Sequence, residues 1–229
     1  MKMRPLLNPR TLRWSAGVIA LAFCLGSAPA ARAQTRYTGQ PRSNSVKIQG
    51  TSTLHDWEMQ GVQISGYIEF GAGVQLDPAQ TNIAGIQGNI VPAKVHNIIP
   101  VASIHSEAEI KADVMDNLMK EAMKEDKFRF VIYDLTELSF KGPHAPGKPF
   151  DFNSKGELAI AGVTNKVSFP VTIECLDGDK IKVCGTAPVK LSDYNVPPPA
   201  PNFGLGMMKV GNDVKIIFEW TLVTKPVKK

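Results

Sequence analysis

The 229 residues contain no Gly-x-Ser-x-Gly, no His-Glu-x-x-His, no phosphate-cradling glycine loop and no Cys-x-x-Cys. With them go the common sequence signatures of serine hydrolases, zinc proteases, nucleotide-dependent enzymes and dithiol oxidoreductases. Histidine is scarce: His55, His96, His105 and His144 are widely spaced, and the pair flanking Ile98-Ile99-Pro100-Val101 suits surface or turn positions better than a shared metal. Asp177 and Asp179 lack the further carboxylates that a calcium loop needs at fixed offsets. Without a nucleophile-base pair or a ligand set, the expectation is a non-enzymatic protein with no metal and no cofactor.

Long apolar runs are also missing, except near the start. Lys2, Arg4, Arg10 and Arg13 precede the apolar stretch 16–25, and Ala31-Arg32-Ala33 fits a small-residue cleavage site before Gln34. The stretch is too short to span a bilayer. Bulky Phe23 before Cys24 argues against a lipid anchor. Residues 1–33 therefore read as a Sec-type signal peptide with cleavage after Ala33, which implies a periplasmic protein with no stable membrane insertion after cleavage.

Removing the signal also removes the basic character. The chain carries 26 Lys plus Arg against 21 Asp plus Glu, and five of the basic residues but none of the acidic ones fall in 1–33. The remainder is balanced, without a Lys/Arg cluster among aromatics, so there is no electrostatic footprint for nucleic acid.

What the remainder does have is period-two alternation. Val62, Ile64, Ile68 and Phe70 alternate with Gln63, Ser65, Tyr67 and Glu69; Phe128, Phe130 and Ile132 with Arg129, Val131 and Tyr133; and Val167, Phe169, Val171 and Ile173 with Ser168, Pro170, Thr172 and Glu174. Val214, Ile216, Phe218, Trp220 and Leu222 share one face of a last strand. This pattern argues antiparallel strands with two unlike faces. Pro170 has no ladder donor, which places its strand at an edge or a bulge. One segment differs: Met115, Leu118, Met119, Ala122 and Met123 recur at helical spacing over 113–124, an amphipathic helix. Its Met stripe is either core filler or a soft lid. Polar residues 34–44 read as a flexible N-terminal arm, 45–224 as one domain and 225–229 as a tail.

Cysteine is sparse. Only Cys175 and Cys184 follow the signal, flanking a turn at 177–179. They suggest a hairpin disulfide in an oxidising compartment. Alternation puts Cys175 with Ile173 on the apolar face but Cys184 with Lys182 on the other, so pairing requires a bulge or an even-numbered loop. Two separate thiols are the other reading.

Four segments in order carry a resemblance. These are Gly50-Thr51-Ser52-Thr53-Leu54-His55-Asp56-Trp57-Glu58, the passage from Met115-Asp116-Asn117-Leu118-Met119 to Lys127-Phe128-Arg129-Phe130, the run 156–167 with its Gly162-Val163-Thr164 turn, and Lys190-Leu191-Ser192-Asp193-Tyr194 followed by Gly211-Asn212-Asp213-Val214. Together, over 45–224, they resemble the YceI-like family of periplasmic polyisoprenoid-binding proteins. The chain departs from the family pattern at the proline-rich run 197–201 and at His144-Ala145-Pro146-Gly147.

The resemblance implies an all-β fold, a lipocalin-like antiparallel barrel of about eight strands with one or two short helices. It also implies a carrier that sequesters a prenyl quinone or polyprenyl chain. The residues expected to line the lipid site are Trp57, Phe70, Met115, Met119, Phe128, Phe130, Phe169, Phe218 and Trp220, with Trp57 alternatively a plug at the barrel end. The mouth is expected near the helix and the proline-rich loop. A different class of function also fits the same bulky side chains: a filled barrel acting as an interaction or stress-protective module.

Overall fold

A computed structural model describes residues 34–40, 43–108, 111–177, 179–198 and 209–224. The signal segment, the tail and the proline-rich positions 199–208 lie outside the described residues. The strands are β1 (Thr35–Gly39), β2 (Ser45–Ser52), β3 (Trp57–Gly61), β4 (Ser65–Phe70), β5 (Ala93–Pro100), β6 (Ile104–Ser106), β7 (Phe130–Phe140), β8 (Phe150–Ile160), β9 (Val163–Leu176), β10 (Lys180–Lys190) and β11 (Val210–Thr224). Among the described residues one α-helix, α1 (Ala112–Ala122), precedes β7.

All ladders are antiparallel, and the order β1-β4-β5-β7-β8-β9-β10-β11 closes on itself because β1 also pairs with β11. The result is an eight-stranded closed barrel. Strands β2, β3 and β6 continue the lines of β1, β4 and β5: β2 pairs with both β11 and β3, and β3 with β6. Three of the eight staves are therefore broken once. Closure pairs most of the sheet's edges, which limits templated aggregation in a sheet this rich in Val, Ile and Phe.

Thr35–Gly39, expected to be part of a loose arm, is instead the closing strand. Tyr37 pairs with Thr224 on one side and with Ile68 on the other. Its polar composition hid it from a pattern search, because backbone pairing on both edges holds it in place.

The break between β1 and β2 is bridged by one buried side chain. Asn44 donates from Nδ2 to the carbonyls of Gln40 (2.7 Å) and Ile64 (3.3 Å), and its Oδ1 accepts from the Thr221 N–H (3.0 Å). Asn44 thus ties three adjacent staves where the regular ladder is interrupted, satisfying backbone groups that would otherwise be buried without partners.

Alternation sends one side chain in two inward. Phe150, Phe152, Ile173, Ile181, Trp220 and Leu222 are fully or almost fully buried. One end is covered by the connection 71–92, whose Val74, Ile83 and Val91 join the core. That connection is pinned to β7 by Val91 N–H to Leu138 O and Phe140 N–H to Asn89 O, and to β9 by the Cys175 thiol on the Leu76 carbonyl (3.4 Å). The sequence pattern gave no sign of this cap, since its apolar residues are separated by turn residues.

Helix α1 lies at the opposite end. Met119, Ala122 and Met123 pack on the core. Asp116 holds the helix to β6 by accepting from the Ser106 N–H (2.6 Å) and pairing with His105 Nδ1 (2.8 Å).

Cys175 and Cys184 are free thiols. Cys175 stands opposite Ile181 and Cys184 opposite Thr172, so the two are offset along the hairpin and face opposite sides of the wall. The expected disulfide is not formed, for the parity reason that register imposes. Burial raises the pKa of both thiols.

Replacing Asn44 by Ala leaves the Thr221 N–H and two carbonyls without their partner. The expected loss is about 2–3 kcal/mol in chemical denaturation, with the strand content of the folded protein unchanged.

Candidate functional site

The barrel encloses an apolar slot. From β4 and β5 it is lined by Ile68, Val95, Asn97 and Ile99; from β7 and β8 by Val131, Tyr133, Leu135, Leu138, Ser154 and Leu158; from β9 to β11 by Phe169, Val171, Ile173, Val183, Ala187, Ile216, Phe218 and Trp220. No charged side chain is among them. The space open to water-sized groups is narrow, about 80 Å³. That is room for several such groups in file.

Aromatic rings shape this slot. Phe169 stands 5.3 Å from the Tyr133 ring and meets Phe218 edge-on at 6.1 Å. Gly156 lets the Tyr133 ring cross β8, because a Cβ there would lie 2.5 Å from Tyr133 Cζ. The Tyr133 hydroxyl reaches Ser154 Oγ at 2.7 Å. Burial raises the Tyr133 pKa, so the phenol stays neutral. Asn97, only 9% exposed, faces the same slot, and its carboxamide makes no hydrogen bond to a described residue. The Nε1 of Trp220, another lining residue, is buried without a hydrogen-bond partner among the described residues; an unsatisfied buried group costs about 1–3 kcal/mol.

A second, wider space lies at the α1 end. Strand β9 pairs with β8 from Val163 onward but with β10 only over Val171–Leu176, so from Pro170 back to Val163 the β10-side edge of β9 has no ladder partner in β10. Proline at this point offers no N–H to a neighbour. The parted strands are bridged lower down by Asn165 Nδ2 donating to the Asp193 carbonyl (2.6 Å). The basin there has a volume of about 930 Å³ and is lined by Trp57, Val167, Val189, Tyr194 and Val214 together with Lys166, Lys190, Asp213 and Lys215. The Tyr194 hydroxyl is buried beside the Asn165 amide without a full hydrogen bond, and burial raises its pKa. Although larger, the basin is an open, charge-rimmed mouth. The slot is the enclosed apolar site.

The residues expected to hold lipid divide into those the slot gathers and those it does not. Phe169, Phe218 and Trp220 line it. Phe70 is buried beside Tyr37, with ring centroids 6.0 Å apart, but is not a lining residue. Trp57 lies at the mouth, its ring against Gly50, where a Cβ would come within 2.2 Å, and its Nε1 donates to the Thr51 carbonyl at 3.1 Å. The preceding turn is self-contained: Ser52 Oγ donates to the His55 carbonyl, and His55 Nδ1 meets the Asp56 carbonyl. Met119 packs on the core from α1, and Met115 is half-buried on the same helix. Neither lines the slot.

Phe128 and Phe130 are corrections. They are 39% and 47% exposed, and it is Val131, Tyr133 and Leu135 that point inward. Alternation over 128–133 leaves two faces to choose between, and aromatic bulk selected the outer one; further on, a bulge between Leu135 and Glu137 reverses parity, so that Leu138 and Phe140 are the buried residues there. The lining residues Asn97, Tyr133 and Ser154 were missed for related reasons: an inward polar residue breaks the apolar pattern by which faces are chosen.

An enclosed apolar slot in a closed antiparallel barrel defines a binding-type barrel. The chain belongs to the YceI-like family, whose domain model matches residues 37–222. Among solved structures it is similar to Burkholderia cenocepacia BcnA, at 17% identity over 80% of this chain and 98% of that one, with a TM-score of 0.54. It is also similar to a polyisoprenoid binding domain from Saccharophagus degradans implicated in plant cell wall breakdown, at 11% identity over 82% and 98%, with a TM-score of 0.57. No curated protein matches the chain in sequence.

The two aromatic positions give a sharp test of which face is inward. Phe130→Glu should change stability by no more than about 0.5 kcal/mol, whereas Phe169→Glu should cost at least about 3 kcal/mol by burying an unpaired charge. Thermal unfolding of the two variants side by side reads the difference.

Proposed function

We propose that this protein is a non-enzymatic, exported carrier that sequesters an isoprenoid-type lipid, a prenyl quinone or polyprenyl chain, in its barrel. The observation that carries the reading is the enclosed slot, apolar almost throughout and free of charged side chains. Family membership supports it, and the Saccharophagus degradans neighbour is itself a polyisoprenoid binding domain. Burial contributes about 0.8 kcal/mol per methylene, so a flexible hydrocarbon needs no charged anchor to bind. In this reading a long chain turns the Phe169 and Phe218 rings aside to extend along the slot and emerges into the basin beside Trp57. The basic, apolar start of the sequence supports export to the periplasm.

A filled barrel serving as an interaction or stress-protective module is the second reading. The narrowness of the slot, about 80 Å³, favours it.

Organic extraction of the purified protein followed by mass spectrometry separates the two. The carrier reading expects a copurifying prenyl lipid, or saturable binding of added prenyl quinone or polyprenol. Neither would be found with a filled module.

A further inference from the structure

The carboxamide of Asn97 faces the slot and makes no hydrogen bond to a described residue; the indole N–H of Trp220, another lining residue, is likewise without a partner among the described residues. Asn97 projects from β5 and is directly cross-strand from Tyr133 of β7, whose hydroxyl is held by Ser154 of β8. Three adjacent staves thus place an amide, a phenol and an alcohol on a wall whose remaining polar side-chain atom is the Trp220 indole nitrogen. An apolar side chain, as at Val95 one inward step away, would fit the surroundings without leaving hydrogen-bonding atoms unsatisfied.

The charge pattern narrows what this cluster can receive. With no Lys, Arg or His lining the slot, a phosphate or carboxylate beside Asn97 would be buried without a counter-charge. A neutral oxygen carries no such penalty. The Asn97 amide can donate to it from Nδ2 or accept from it at Oδ1, and the neutral Tyr133 phenol stands alongside.

We propose that Asn97, seconded by the Tyr133–Ser154 pair, recognises one uncharged oxygen, a carbonyl or hydroxyl, on a lipid held in the slot. The headgroup end of the ligand then lies inside the barrel, with the hydrocarbon extending toward the basin. This inference rests on the carrier reading and deepens it by specifying the ligand's polar end.

The test measures affinities of the full barrel chain for two probes presented in the same detergent: a short-tailed prenyl benzoquinone, and squalene, an isoprenoid without oxygen. Wild type is expected to favour the quinone by about tenfold, the worth of one hydrogen bond. Asn97→Leu should bring that ratio close to one. Its lipid-free melting temperature should be no lower than that of wild type, since an unsatisfied amide is gone. Tyr133→Phe, which keeps the ring on Gly156, should narrow the preference in the same direction. The inference is overturned if wild type binds both probes equally, or if Asn97→Leu keeps the full quinone preference. Binding of neither probe by wild type overturns the carrier reading together with this one.

Discussion

Closure of the barrel depends on how the chain handles the places where its staves break, and the Asn44 amide is the clearest of these. Buried backbone groups in a closed sheet need partners, yet β1 and β2 are interrupted where β4 and β11 pass alongside. One side chain supplies two donors and an acceptor to Gln40, Ile64 and Thr221 there. That allows β1 to zip β11 to β4 and seal the interior from solvent. Without that seal the apolar alternation of β8 to β11 would form an open, aggregation-prone sheet rather than a lumen.

Once sealed, the interior acquires a direction. The connection 71–92 covers one end with its own apolar residues, while at the other end β9 and β10 part, Trp57 lies across Gly50, and α1 is held to β6 by Asp116. The slot therefore lies between a capped end and the end where β9 and β10 part, and the Tyr133, Phe169 and Phe218 rings narrow it.

Much of this architecture was legible in the sequence and some was not. Uninterrupted alternation in β9 and β11 placed Phe169, Phe218 and Trp220 correctly because those strands carry no bulge between the residues being compared. The 3.6-residue spacing of Met115, Met119 and Ala122 marked α1 equally well. In β7 the same reasoning put Phe130 on the wrong face, since Val131 and Tyr133 form a second alternating set and the bulkier aromatic set turned out to be the outer one. β1 and the cap were invisible for a different reason: their order comes from partners far away in sequence. The polar cluster failed the pattern because it breaks it, as groups that bind something often do.

The central claim, that lipid occupies the slot rather than the mouth or the outer wall, can be read through tryptophan. The chain has three tryptophans, Trp14, Trp57 and Trp220, so protein cut after Ala33 and carrying Trp57→Phe reports from Trp220 alone. A bromine-labelled isoprenoid chain bound in the slot should quench Trp220 fluorescence strongly and saturably, in step with occupancy measured by equilibrium dialysis. Saturable binding that leaves Trp220 emission unchanged would contradict the account.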